Sequence, residues 1–256
     1  MAEVKNMVWS YSRLTTYETC PFCFYLQYIK KESDYPSAFG QYGSFCHELL
    51  EMYFKDEIPD FLMLGYYNEH FTQHVTCDFP PNKWKDLAQD YYQKGQTYFE
   101  TFEGLEGQYK EILEIESEYI FDIGDYKCKG IIDLVVRNHD GEIEIVDHKS
   151  KSAPKSKADL KAWYKQLYLY AIPVFEKYGE YPKRLNFNMF KLQDWYSTEF
   201  DLVEFEQAKQ WAIDIIYAIE NDTRFNTGDP GDFWCNFICG MREHCTNSNM
   251  YKPYLD

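Results

Sequence analysis

Between residues 111 and 148 the spacing of apolar side chains turns from helical to strand-like, and this stretch constrains the fold most. EILEIESEYIF (111–121), YKCKGIIDLVVR (126–137) and EIEIVDH (142–148) read as three successive strands, alternating or continuously apolar. Gly124-Asp125 and Asn138-His139-Asp140-Gly141 supply short turns, so the three are expected to pair as an antiparallel meander. Residues 158–178 have helical periodicity, 184–191 (RLNFNMFK) reads as another strand, and 202–221 as a further helix. Upstream, serine and threonine capping candidates precede a helix with Pro21 near its start, running to about Lys31. Residues 40–55 read as a second helix carrying His47, and 60–104 as mostly helical with an interruption around Asp78-Phe-Pro-Pro. Strands and helices mixed in this way predict an α/β or α+β fold. The expected organisation is one domain over 1–256: a helical part (1–110), a sheet core (111–200), then a helix and an irregular tail (201–256).

The meander carries acids in awkward places. Asp133 sits between Ile132 and Leu134 in GIIDLVV, where a carboxylate is costly to desolvate unless it is paired or bound to a cation. Asp147 follows across a hairpin turn, and Lys149 stands two residues further, on the same strand face. Alone, an Asp-x-Lys at a strand end is usually a surface ion pair worth little. Here adjacent strands, roughly 5 Å apart, would let both carboxylates share one divalent ion with an ammonium beside them. Phosphodiester hydrolysis needs those parts. Carboxylates are hard ligands for Mg2+ or Mn2+, and a lysine can orient or deprotonate the attacking water or steady developing charge. Glu116 and Glu118, on the first strand, are expected on a solvated face.

The formal net charge is −16, which argues against nucleic-acid binding by overall electrostatics. A local answer lies at 149–165, KSKSAPKSKADLKAWYK, with six lysines and one aspartate. Lys151, Lys155 and Lys157 are candidates for phosphate contacts, and Trp163 and Tyr164 for stacking on exposed bases. No apolar run of about 18 residues is present, so no membrane span is expected. The opening MAEVKNMVWSYS lacks the basic and apolar regions of a secretory signal, so a cytoplasmic location is expected, the host cytoplasm if the source is viral. In that setting closely spaced cysteines are read as metal or cluster ligands rather than disulfides. Cys235, Cys239 and Cys245 fall within eleven residues. Zinc and an iron–sulfur cluster both suit such thiolates, and spacing does not choose between them. Cys46, Cys77 and Cys128 are expected to be small buried hydrophobes.

Gly130-Ile-Ile-Asp133, Val146-Asp147-His148-Lys149 and Gln166-Leu-Tyr-Leu-Tyr170 resemble the G-x-x-D, (D/E)-x-K and Q-x-x-x-Y motifs of PD-(D/E)XK nucleases, in particular the RecB-like branch. Gly43-Ser-Phe-Cys-His47 is similar to that branch's G-x-x-x-H, and Ser10-Tyr-Ser12-Arg13-Leu14 through Cys20-Pro21 is similar to its opening motif. The resemblance implies a restriction-endonuclease-like core, a mixed central sheet flanked by helices. It implies a metal-dependent DNA nuclease, with an exonuclease expected, acting on DNA ends or single strands in recombination, repair or phage DNA processing. His47, Asp133, Asp147 and the backbone carbonyl of His148 would ligate Mg2+ or Mn2+. Lys149 would be the catalytic lysine, with Gln166 and Tyr170 supporting the site or touching DNA. Nucleases of the AddB and CRISPR-adaptation kinds, which this chain also resembles, hold a [4Fe–4S] cluster by one N-terminal and three C-terminal cysteines. That implies Cys20 with Cys235, Cys239 and Cys245, with Cys23 competing for the N-terminal place and Zn2+ as the alternative occupant. The C-x-x-x-C spacing here departs from the usual C-x-x-C. Implied partners are DNA and a recombination, helicase or CRISPR-type protein. A catalytically silent protein docking on such a complex is the alternative.

Overall fold

The computed structural model describes residues 4, 6–104 and 107–252. Its sheet is built from β1 (Glu111–Ile123), β2 (Tyr126–Arg137), β3 (Ile143–His148), β4 (Arg184–Met189) and β5 (Asp194–Glu199), hydrogen-bonded in that order. β1, β2 and β3 form the expected antiparallel meander, and Gly124 and Gly141 take the left-handed conformations its turns require. β3 and β4 run parallel, bridged by the long helix α6 (Lys157–Tyr178), and β5 returns antiparallel as an edge. The fold is therefore mixed α/β, a five-stranded sheet flanked by helices.

Two apolar layers sandwich the sheet. Ile132, Val135, Ile145 and Phe187 pack on one face with α6 and α7 (Leu202–Asn221), through Leu167, Val174, Phe205 and Ile216. Leu134, Val136 and Val146 pack on the other face with α3 (Ala38–Phe54), α4 (Asp60–His74) and α5 (Leu87–Glu100). With both faces covered, a charged side chain in the middle of β2 or β3 must have a partner.

The first helical stretch is divided. α1 (Tyr11–Thr19) is capped by the Ser10 hydroxyl, which accepts from Arg13 N–H, and Cys20 then caps α2 (Pro21–Phe24). α2 widens into a π-helical turn over Tyr25–Lys30 and ends at Lys31, whose φ is 58°. Two other expectations are corrected. Strand 184–191 stops at Met189, because Phe190–Gln193 turn the chain into β5, an edge strand absent from the sequence reading. Cys77 is partly exposed rather than buried, its thiol facing the Pro36 carbonyl, whereas Cys46 and Cys128 are buried as expected.

Candidate functional site

A one-residue bulge decides which acids meet. The β1–β2 register shifts between Ile112 and Glu114, and beyond it Ile115 pairs with Leu134 and Ser117 with Ile132. Glu116 is thereby set opposite Asp133; without the shift Ile115 would face it. On the other side β2 and β3 pair as far as Leu134 and Val146, so the next register position sets Asp133 opposite Asp147. Ladder pairing stops there, and His148 N–H instead donates to Asp133 Oδ2 at 2.6 Å. Glu116, Asp133 and Asp147 thus form a row across three neighbouring strands, at the carboxyl end of β3. Glu116, expected on a solvated face, belongs to this row; Glu118 is exposed as expected.

His47 enters from α3. Its Nε2–H donates to the His148 carbonyl oxygen at 2.6 Å, and its Nδ1 lies 3.6 Å from Asp133 Oδ2. His148 itself points away from the acids, stacked on Phe54. Asn188 on β4 donates to both His148 Nδ1, at 3.0 Å, and Tyr98 Oη, at 2.7 Å, so a buried chain fixes the residue whose carbonyl faces the site.

The electrostatics favour a cation. Burial and then the Asp147 charge raise Asp133 well above the usual carboxylate range. Burial, Glu51 and Asp147 push Glu116 up to about 7. Burial lowers His47, leaving a neutral imidazole able to act as a ligand. His47 Nδ1 and Asp133 Oδ2 present lone pairs to the same space, an arrangement that asks for a proton or a metal ion between them. Among the described residues His47, Glu116 and Asp133 bring one donor atom each within 4.8 Å of one another. One nitrogen and two carboxylate oxygens are a donor set that Mg2+ or, better, Mn2+ accepts. Asp147, 1% exposed, stands outside that tight trio. Its Oδ2 is 2.5 Å from Lys149 Nζ, and its Oδ1 accepts from Gln166 Nε2 at 3.0 Å. Burial pulls the Lys149 ammonium down, but Asp147 and Asp133 outweigh it and the net shift is upward, so Lys149 is a cation here.

The motif glycines are contact points. A Cβ on Gly130 would come within 2.4 Å of the Tyr170 ring, and Tyr170 Oη in turn accepts from Gln166 Nε2 at 3.0 Å. A Cβ on Gly43 would lie 2.7 Å from Ser150 Oγ, just past Lys149. Four of the motifs, with the serines that open the fifth, therefore lie around one place, while Cys20 at the end of the fifth lines the cysteine cavity. Ser10 and Ser12 join Lys149, Gln166 and Tyr170 around a cleft of about 450 Å³. A second opening of about 500 Å³ shares Lys149 and Lys151 with it and is lined by His47, Glu48, Glu51 and Glu116.

The lysine run is only partly as expected. Lys151 lines both openings and lies 5.0 Å from the centre of the Trp163 ring, while Trp163 packs edge-on against Phe187. Lys155 and Lys157 are exposed at the start of α6 and line neither opening. Tyr164 is corrected: it is buried against Phe187 and has no face left for a base.

Outside the acid row, five cysteines line one small cavity: Cys20, Cys23, Cys235, Cys239 and Cys245. Cys20 Sγ accepts N–H bonds from Cys23 and Gly228, at 3.4 and 3.3 Å. A Cβ on Gly228 would lie 2.6 Å from the Thr19 carbonyl oxygen, so only glycine brings that donor in. Backbone N–H groups of Met241 and Asn247 serve Cys239 and Cys245. Cys235 and Cys239, four apart, both face the cavity from a π-helical turn over Trp234–Ile238, closed by the Cys239 N–H to Trp234 carbonyl bond. Cys23 Sγ lies 3.6 Å from Cys239 Sγ, and its thiol proton holds Cys239 below the ordinary value. Soft sulfurs, three of them (Cys20, Cys239 and Cys245) supplied with N–H donors, fit a thiolate-bound cluster or metal.

Over residues 8–246 the chain matches the sequence model of the PD-(D/E)XK nuclease superfamily. Among curated proteins none matches it by sequence. A solved structure titled "Crystal structure of SSO0001" is similar over 78% of this chain and 81% of its own, at 16% identity and a TM-score of 0.36, too loose a superposition to bear on the site. With the match spanning the acid row, the lysine, the mixed sheet and the cysteine tail, the chain belongs to the PD-(D/E)XK nuclease superfamily.

Proposed function

We propose that this nuclease is a metal-dependent deoxyribonuclease of the RecB-like kind, an exonuclease working on DNA ends or single strands. The observation that carries the reading is the row Glu116–Asp133–Asp147 with the Lys149 ammonium 2.5 Å from Asp147. His47, Glu116 and Asp133 would hold the ion, with Asp147 and the His148 carbonyl beside them. A bound divalent cation neutralises phosphate oxygens and acidifies a water. The protein's own part is positioning. Gln166 orients Asp147, the His148 N–H orients Asp133, and Asp147 keeps a proton on Lys149 Nζ, where the ammonium can meet charge developing on the phosphate. Tyr170 locks Gln166.

A [4Fe–4S] cluster held by Cys20, Cys235, Cys239 and Cys245 is part of the same reading, supported by the N–H bonds to three of these sulfurs. Anaerobically purified protein should be brown and carry iron; colourless protein carrying zinc would replace the cluster with a zinc staple. The net charge of −16 points to a partner protein that loads the DNA. No helix among the described residues is long and apolar enough to cross a membrane. The exonuclease reading is tested with linear and covalently closed single-stranded circles of one sequence, incubated with Mn2+. Only the linear form should be degraded; circles cut at the same rate would make the enzyme an endonuclease.

A further inference from the structure

Lys191 is a buried cation that the site above does not use. It lies two residues past the end of β4, at the end of the sheet where the parallel strand β3 runs out into the loop that carries Ser150 and Ser152. It is 5% exposed, and its Nζ donates to Tyr91 Oη and Ser152 Oγ, both at 3.2 Å. Among the described residues no carboxylate lies within ion-pairing distance of it. The nearest acid of the groove, Asp90, is held by Lys85 at 2.7 Å and Lys94 at 3.0 Å. A lysine hidden from water without a carboxylate is costly, and here only two hydroxyls and the Tyr91 ring, 5.0 Å from Nζ, offset that cost.

Its surroundings suggest a use for that charge. Lys191 lines a groove of about 640 Å³ with Lys85, Lys94 and Lys151 against the single acid Asp90, on a chain of net charge −16. Ser150 and Ser152 add hydroxyls, and Phe233 of the cysteine tail forms part of one wall, 52% exposed. The groove shares Gly40, Ser150 and Lys151 with the opening that holds His47 and Glu116, and that opening shares Lys149 and Lys151 with the cleft at Tyr170. One continuous path thus runs from the α1 serines past the acid row to Lys191.

We propose that this groove is a backbone subsite for the nucleic-acid strand being cut, in which Lys191, with Ser152, Ser150 and Lys94, grips a phosphate beyond the scissile one. Burial, opposed by Asp90 and reinforced by Lys94 and Lys85, brings the Lys191 ammonium down to about 8, so an incoming phosphate supplies the counter-charge that the fold withholds. The subsite rests on the nuclease reading and names how that site holds its strand.

The test is binding of a fluorescent single-stranded 12-mer with Ca2+ in place of Mg2+, across a salt series, for wild type, Lys191→Met and Ser152→Asp. Ser152 is exposed on a loop, so Ser152→Asp folds even if the buried change does not, and it hands Lys191 the carboxylate it lacks. Each variant should weaken binding about tenfold, the size of one charge-assisted hydrogen bond. Each should also flatten the slope of log affinity against log salt by about 0.7, one phosphate on a single strand. Wild type that binds and cleaves, with both variants matching its affinity and slope, would overturn the subsite and leave the nuclease standing. Wild type that neither binds nor cleaves the strand would overturn both.

Discussion

Glu116 is held at φ 46° directly across from Asp133, a conformation that costs a non-glycine residue of order 1–3 kcal/mol. Such strain is sustained where side-chain position matters, so Glu116 should be a ligand and not a bystander. Mn2+ should raise the melting temperature of the wild type by relieving repulsion among the acids. Glu116→Gln should need about ten times more Mn2+, or more, for the same rise. An unchanged Mn2+ titration would remove Glu116 from the site. Lys191 gives a second prediction at this scale. An amine whose pKa is lower folded than unfolded costs stability below the folded value, and the cost fades as pH climbs to the unfolded value. The groups facing it are Tyr91, Ser152, Lys94, Asp90 and Lys85, and its folded value is about 8 against an ordinary 10.5. Lys191→Met should therefore melt higher than wild type at pH 7, with the gain shrinking between pH 8 and 10.5. A gain that grows across that window would contradict the sign.

Among the elements, β2 and α6 meet closely where Gly130 faces the Tyr170 ring. Gly130→Ala should drive the new methyl into Tyr170, costing about 1–3 kcal/mol of stability and pulling Gln166 off Asp147. In a Tyr170→Ala background the same change should cost almost nothing, which melting curves of the double-mutant cycle would show. The strands were also where the sequence was most and least legible. Asp133, Asp147 and Lys149 could be read because a charge inside an apolar strand is conspicuous and strand alternation fixes Asp147 and Lys149 to one face. Glu116 could not, because a bulge at residue 113 resets which β1 residues face Asp133. β5 was missed because DWYSTE is a polar edge whose residues stay half exposed. The burial of Lys191 depends on α5 and the 150–152 loop, contacts about 40 and 100 residues away in sequence that no local pattern records.

Over the whole molecule, the tail is tied back to the beginning of the chain. Arg242 donates to the carbonyls of Tyr35 and Pro36, Tyr35 N–H donates to Gly240, and Phe22 N–H donates to Asn226. The five-cysteine cavity lies between these two segments. A cluster or metal held there would act as a cross-link over a very long loop, of order 2–4 kcal/mol by analogy with a disulfide. Cys239→Ser should lower the melting temperature and open residues 226–252 to protease, while the sheet core keeps its protection. Because Phe233 walls the Lys191 groove, the same variant should also weaken binding of the 12-mer. The local basic path and the acidic remainder together predict steep loss of DNA affinity as salt rises.

The most direct measurement is degradation of end-labelled DNA by the folded protein with Mn2+ or Mg2+ and with chelator, beside Asp147→Ala and Lys149→Ala. Metal-dependent loss of DNA that both substitutions abolish, in variants that still melt cooperatively, is the predicted result. Wild type that leaves every DNA intact with either metal, or variants that degrade it as fast as wild type, would contradict the assignment of this site.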